Sequence, residues 1–264
     1  MEILGYIASL FIGLSLGLIG GGGSILTVPV LVYLFGVDPV LATAYSLFIV
    51  GATSLVGAFP KYKNGDINIK TSIIFGIPSI IAVYATRAYL VPNIPQHIFQ
   101  LGSLEITKPL MMMIVFAVLM VFASVSMIRN KSTNSAEEGP QVFNYPMILL
   151  EGTVVGMLTG FVGAGGGFLI IPALVLFSKL PMKKAIGTSL LIIAVKSLIG
   201  FTGDLGKQEM DWTLLLSVTA LAIVGIFAGN ILSKKISADS LKKGFGWFVL
   251  VMGIYIIVKE LFFK

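Results

Sequence analysis

The sequence repeats itself at an offset of 143 residues, and this internal repeat constrains the fold more than any other feature. The two copies align without a gap, and most of the identities are glycine, proline and serine, which apolar segments seldom share by chance. The matched pairs are Gly13 and Gly156, Gly17 and Gly160, Gly20 and Gly163, Gly22 and Gly165, Gly23 and Gly166, Pro29 and Pro172, Ala42 and Ala185, Ser46 and Ser189, Leu47 and Leu190, Ser54 and Ser197, and Gly57 and Gly200. The chain therefore consists of two related halves.

The repeated halves are made of apolar segments. Hydrophobic residues form 56% of the 264 residues and charged residues only 11%, whereas charged residues make up about a quarter of a soluble domain. We predict ten segments, at 3–19, 24–36, 40–59, 70–90, 109–128, 145–162, 167–178, 184–203, 212–233 and 241–262. A straight span needs roughly 20 apolar residues, so 24–36 and 167–178 are too short. The fold class predicted is an all-α, polytopic integral membrane protein.

One long polar stretch separates the halves. Residues 129–144, "RNKSTNSAEEGPQVFN", are rich in Ser, Asn and Glu and contain a Gly-Pro pair, as is typical of a flexible linker. The predicted organisation is transmembrane repeat 1 over 1–128, a polar cytoplasmic linker over 129–144, and transmembrane repeat 2 over 145–264. Each repeat then holds five segments.

The basic residues indicate how the halves are oriented. If all ten segments cross the membrane, twelve Lys and Arg residues lie in loops on one face and five on the other, whereas re-entrant short segments would split them eight against nine. The twelve are Lys61, Lys63, Lys70, Arg129, Lys131, Lys179, Lys183, Lys184, Lys234, Lys235, Lys242 and Lys243. The five are Arg87, Lys108, Lys207, Lys259 and Lys264. The positive-inside rule favours ten crossings, with both termini outside and five-segment repeats that are inverted.

Each half interrupts its helices with a run of glycines. The runs Gly20–Gly23 and Gly163–Gly167 each stand between a full segment and a short one, an arrangement that points to a transporter's central binding site. A helix that begins just after Gly23 or Gly167 exposes backbone N–H groups and the positive end of its dipole, which favours an anion. The alternative is packing alone, since glycines four residues apart allow close helix contact. The candidate residues are Gly20, Gly21, Gly22, Gly23, Gly163, Gly165, Gly166 and Gly167.

Lys196 is a basic residue deep inside a predicted span. An ammonium group there costs about 3 kcal/mol on insertion scales, and such residues usually face a cavity or a partner. We therefore assign Lys196 to the anion site. Two alternatives stay open: the lysine stem can extend towards an interface, or Asp204, two turns further on, can pair with it.

Several other polar residues are candidates for the site or for the surface. The hydroxyls of Thr43, Ser46, Thr188 and Ser189 occupy matching stretches of the halves and either bind oxyanion oxygens or bond the helix backbone. Glu151, in the sixth span, is either a proton carrier or a hydrated residue near the cytoplasmic boundary. His97 is expected at the surface of an external loop.

Composition and motifs exclude several kinds of chemistry. The chain has no cysteine, and its one histidine is predicted to be external, so thiol, serine-protease and metal-dependent catalysis are all disfavoured. No phosphate-binding G-x-x-x-x-G-K-[ST] motif occurs, which argues against an ATP-driven pump. We expect a protein that is not an enzyme, has no cofactor, and interacts with a small anion and the lipid bilayer but not with nucleic acid. An anion channel, or a carrier of cations or other solutes, stays an alternative, and the oligomeric state is open.

The glycine runs and the segments after them resemble the TauE/SafE family of sulfite exporters. The second half carries the full pattern, with Pro172 after the glycines and then "AIGTSL" at 185–190. The first half keeps Pro29 but has Ala44-Tyr45 in place of Gly-Thr. The resemblance covers essentially the whole chain and implies a permease of a prokaryotic plasma membrane. It further implies transport of small sulfur-containing anions such as sulfite or organosulfonates.

The membrane potential bears on the direction of transport. Because the cytoplasm is negative, each negative charge that moves outward gains about 2.3 kcal/mol per 100 mV. Export of sulfite therefore needs no coupling ion, whereas uptake would need protons or sodium. The spans contain no deep pair of carboxylates, so we expect export by alternating access.

Overall fold

A computed structural model describes residues 2–101, 104–129, 145–176, 178, 180–233 and 238–262. Most of the predicted linker, 129–144, lies outside these residues. The helices are α1 (Glu2–Ile19), a 3₁₀ helix (Gly20–Leu26), α2 (Thr27–Tyr33), α3 (Pro39–Lys63), α4 (Ile69–Ala85), a π-helical turn (Thr86–Leu90), α5 (Val91–Asn93), α6 (Lys108–Arg129), α7 (Tyr145–Val162), α8 (Gly167–Leu176), α9 (Met182–Thr202), α10 (Trp212–Leu232) and α11 (Ala238–Phe262).

Helices lie at all ten predicted apolar segments, with boundaries that differ by a few residues. Five stretches among the described residues are both long and apolar enough to cross a membrane, namely Pro39–Lys63, Ile69–Asn93, Lys108–Arg129, Met182–Thr202 and Trp212–Leu232. Many large apolar side chains point outward, among them Phe122 at 70% exposure and Ile81 at 64%. Exposed apolar surface on this scale is typical of a protein surrounded by lipid, so the chain is a multi-pass membrane protein.

The two halves pack against each other in a reciprocal pattern. Helix α1 lies along α10, and its counterpart α7 lies along α4; α3 packs on α9, and α6 on α11. The pairs of equivalent helices are antiparallel. In the α3 and α9 pair, Gly51 lies against Leu198, and Gly200 lies close to Leu47 nearer the start of α3. Each element of one half thus meets a defined element of the other.

The glycines spaced four residues apart bring the helices of this bundle into close contact. A Cβ atom at Gly13 would lie 1.8 Å from the carbonyl oxygen of Ala222 in α10, and one at Gly156 would lie 2.5 Å from that of Ser79 in α4. Such distances leave no room for a side chain. The packing interpretation is therefore confirmed for these spaced glycines.

The connection between α5 and α6 is not the simple loop that was predicted. Strands β1 (His97–Leu101) and β2 (Leu104–Thr107) form an antiparallel hairpin there, so the all-α prediction is wrong for this short segment. The alternating apolar and polar residues of β2, "LEIT", favour a strand. His97 lies at the surface, as predicted, but at the start of a strand: its side chain is exposed and its Nδ1 atom lies 2.6 Å from Oε1 of Glu105.

Candidate functional site

The two glycine breaks meet inside the bundle. A Cβ atom at Gly167 would lie 2.1 Å from the Cα, carbonyl carbon and oxygen of Gly21. The backbones of the first and second breaks are therefore in direct contact, and a side chain at this point would separate them. The sequence repeat thus produces a junction of two backbone segments in the interior of the protein.

The breaks differ in conformation, which corrects one prediction. In the second half, Gly163, Gly165 and Gly166 have positive φ angles and α8 begins at Gly167 as expected. In the first break, Gly20 has a positive φ, and the chain then continues as a 3₁₀ helix before α2 begins at Thr27. A free helix N-terminus after Gly23 was therefore wrongly predicted.

Ser24 explains this difference between the breaks. Its hydroxyl donates a 2.8 Å hydrogen bond to the carbonyl oxygen of Gly21, and the N–H of Thr27 bonds the carbonyl of Ser24. These local bonds satisfy the backbone within the 3₁₀ helix. At the offset of 143 residues, the position of Ser24 is occupied by Gly167, which has no side chain to do the same.

Lys196 lies beside the second break. Its side chain is fully buried, and its Nζ atom donates a 2.8 Å hydrogen bond to the hydroxyl of Thr159. A Cβ atom at Gly166 would lie 3.0 Å from Nζ, so the ammonium group rests against the backbone of the break. Among the described residues, no carboxylate lies within ion-pair distance of Lys196.

Asp204 does not pair with Lys196, which corrects that alternative. Its Oδ2 atom lies instead 2.8 Å from Nε of Arg87, a fully buried residue of the π-helical turn. The NH2 group of Arg87 also donates to the hydroxyl of Thr43 at 3.0 Å. Asp204 stands just beyond the end of α9, eight residues after Lys196, and its partner Arg87 comes from the opposite half.

The predicted hydroxyls fall into two groups. Thr43 lies close to the second break, because a Cβ at Gly163 would lie 2.3 Å from the carbonyl oxygen of Thr43, and Ser46 is buried one turn further along α3. Thr188 accepts a 2.9 Å hydrogen bond from the N–H of Asn68. The hydroxyl of Ser189 donates a 2.8 Å hydrogen bond to the carbonyl oxygen of Ile186. Thr188 and Ser189 each lie about two helical turns from Lys196 along α9.

Glu151 is less hydrated than one prediction assumed. Both of its carboxylate oxygens are buried and have no hydrogen-bond partner among the described residues. The neighbouring Gly152 packs against α4, where a Cβ would lie 2.7 Å from the carbonyl oxygen of Phe75. Glu151 therefore faces the packed region between helices, on a different part of α7 from Thr159.

The arrangement at the second break suits an anion. The ammonium group of Lys196 lies against Gly166, the residue directly before α8, whose first-turn N–H groups include those of Gly167 and Phe168. In the described part of the chain, no group of three or more His, Asp or Glu residues could hold a metal ion. Charge and donors here are of the sign that binds an oxyanion.

Sequence reasoning missed Thr159 and the burial of Arg87. Thr159 is a lone hydroxyl four residues before Gly163, and this spacing, one helical turn, is a signal that could have found it. Arg87 was counted as a loop residue because it stands near the end of a predicted span. Its burial depends on Asp204, which is distant in sequence, so no local pattern reveals it.

Comparison with known proteins is consistent with this architecture. The family model described as "Sulfite exporter TauE/SafE" matches residues 5–256. A "Probable membrane transporter protein" of Xylella fastidiosa strain 9a5c is 30% identical over 253 residues, which cover 93% of this chain and 91% of that protein. The "Probable membrane transporter protein MJ0441" of Methanocaldococcus jannaschii is 26% identical, with 96% and 94% covered.

A third relative extends the match to nearly every residue. The "Probable membrane transporter protein YunE" of Bacillus subtilis is 25% identical over 99% of this chain and 98% of its own length. No solved structure matches the chain. The family match covers almost the whole sequence, and it includes both glycine breaks and the helices that surround them. The chain is therefore a membrane transporter protein of the sulfite exporter TauE/SafE family.

Proposed function

We propose that this protein is a permease that exports small sulfur-containing anions, such as sulfite or organosulfonates, across a prokaryotic plasma membrane. The observation that carries the proposal is Lys196, a fully buried ammonium group with no carboxylate partner among the described residues, held against the second glycine break. A buried cation of this kind is costly in a membrane unless it serves a site. A bound oxyanion supplies the missing negative charge.

Within this site, each group has a distinct role. Lys196 supplies the positive charge, and the N–H groups at the start of α8 donate hydrogen bonds to the anion. The first break, with its 3₁₀ helix, contributes the close contact of Gly21 that shapes the junction. The hydroxyls of Thr43 and Ser46 line one end of the path, and those of Thr188 and Ser189 line the other.

The proposal includes inverted repeats and ten crossings. Antiparallel packing of the equivalent helices α3 and α9, and of α6 and α11, supports a two-fold axis in the membrane plane. An ion pair between the two halves lies near each end of α3, as a two-fold relation between the halves would produce. Asp66, next to Lys183, contacts the start of α9, whereas Arg87 and Asp204 meet at the other end. Rocking of the halves about the break junction then exposes the site to each side alternately.

Single cysteines test the topology, because the native chain has none. We expect Lys63→Cys to react with an impermeant maleimide only from the cytoplasmic face, and Glu209→Cys only from the external face. Both side chains are exposed. Intact cells compared with inverted vesicles provide the measurement, and labelling of both cysteines from one face contradicts the inverted arrangement.

Counterflow separates a transporter from the alternative anion channel. Proteoliposomes are loaded with unlabelled sulfite and diluted into a trace of radiolabelled sulfite, with the membrane potential clamped at zero. An alternating-access carrier returns across the membrane in the loaded form and accumulates label transiently, whereas a channel only equilibrates it. We expect an overshoot that saturates with the internal sulfite concentration. Simple equilibration of the label assigns the protein to the channel class instead.

A further inference from the structure

Arg87 is the second fully buried cation among the described residues, and one of its guanidinium nitrogens, NH1, has no hydrogen-bond partner there. Its Nε atom is paired with Asp204 at 2.8 Å and its NH2 group donates to Thr43 at 3.0 Å. Its NH1 group is also buried but has no hydrogen-bond partner among the described residues. An unpaired buried guanidinium N–H is expensive, which indicates that a ligand takes this position.

The backbone around Arg87 is held in an unusual shape. The residue lies in the π-helical turn at the end of α4, and Nζ of Lys207 donates to the carbonyl oxygens of Arg87 at 3.0 Å and Ala88 at 2.9 Å. Single π-helical turns are frequent at functional sites. Lys207 thereby bonds the backbone of the π-helical turn at the residue whose side chain is buried.

Charged side chains of both signs gather at this end of the bundle. The basic ones are Arg87, Lys207 and the buried Lys108, and Asp204 stands among them with 14% of its side chain exposed. Two further acids, Asp38 and Asp211, cap the starts of α3 and α10 and accept hydrogen bonds from backbone N–H groups there. Among the described residues, Asp204 is the carboxylate that pairs with Arg87, and it reaches Nε and not NH1.

The second glycine break connects Arg87 to Lys196. The N–H of Gly163 bonds the carbonyl of Thr159, whose hydroxyl accepts from Lys196. On the other side, Gly163 lies against Thr43, whose hydroxyl accepts from Arg87. The break is therefore flanked by two buried cations, one paired with a carboxylate and one without such a partner.

We infer that Arg87 is a second binding position for a small oxyanion, one step outward from Lys196. This inference rests on the proposed function. The free NH1 group, together with NH2, presents the planar pair of donors that fits two oxygens of a sulfur oxyanion. Release from this position towards the outside is assisted by Asp204, whose carboxylate competes with the anion for the guanidinium group.

Equilibrium dialysis of the purified protein against radiolabelled sulfite, kept anaerobic, tests the inference. We expect two sulfite ions per chain for the wild type and one for Lys196→Met. Arg87→Lys is the discriminating variant, because a lysine keeps the ion pair with Asp204 but has no NH1 group. It is expected to melt like the wild type and to bind one sulfite.

The outcomes separate this inference from the proposed function. One ion bound by the wild type, still bound by Arg87→Lys and lost in Lys196→Met, overturns the second position and leaves the first intact. No binding by the wild type overturns both. If Arg87→Lys does not fold, Asp204→Asn decides: removal of the competing carboxylate should tighten the weaker site by about tenfold or more, and unchanged affinity contradicts the inference.

Discussion

Replacement of Lys196 by methionine is expected to abolish sulfite transport while the protein stays folded. Charge-assisted hydrogen bonds contribute about 1.5–3 kcal/mol each, so loss of the ammonium group should lower transport by a factor on the order of 100. Methionine keeps the apolar stem and removes a buried charge that has no carboxylate partner among the described residues. The melting temperature should therefore be unchanged or raised. Initial rates in proteoliposomes and thermal melting in detergent are the two measurements.

Lys184→Met is the matched control for this prediction. Lys184 is on the same helix, α9, but its side chain is exposed near the start of that helix. The same chemical change there should leave both the rate and the melting temperature within error of the wild type. Wild-type transport by Lys196→Met would remove the lysine from the site, and a collapse of its melting temperature would show that the lysine is structural.

Alanine at Gly167 is expected to destabilise the whole fold. The new Cβ would lie 2.1 Å from three backbone atoms of Gly21, which cannot rotate away as a side chain can. Overpacking commonly costs about 1–3 kcal/mol, and a clash between two backbones belongs at or above the upper end of that range. We expect a clear fall in melting temperature and loss of transport.

Gly76→Ala is the control for the break junction. Gly76 lies within α4, and a Cβ there meets no atom within 4 Å. Alanine has a higher helix propensity than glycine by about 1 kcal/mol, so this variant should be as stable as the wild type or more stable. Equal melting temperatures for Gly167→Ala and the wild type would mean that the breaks do not touch.

The sequence was sufficient to predict the helices because each depends on local information. Lengths of apolar segments set the positions of the spans, and the glycine runs marked the breaks that Gly163, Gly165 and Gly166 form with positive φ angles. Lys196 stood out as a charge surrounded by apolar residues. These features need no knowledge of which helices touch.

Features that depend on contact between the halves could not be predicted. Arg87 is buried because Asp204 from the other half reaches it, and Thr188 is engaged by the N–H of Asn68. Both contacts join residues more than one hundred positions apart. The 3₁₀ helix of the first break depends on a single hydroxyl, that of Ser24. In the alignment of the two halves, Ser24 opposite Gly167 is only one of many differing pairs.

The most direct test of the central claim is potential-driven transport in proteoliposomes. Radiolabelled sulfite, sulfoacetate and thiosulfate are offered separately, with the membrane potential and the pH gradient imposed independently, to the wild type and to Lys196→Met. The account predicts saturable sulfite movement towards the positive side under a potential alone, and none in the variant. Absence of movement of all three anions under either gradient, in wild-type protein shown to be folded, would contradict the anion-export proposal.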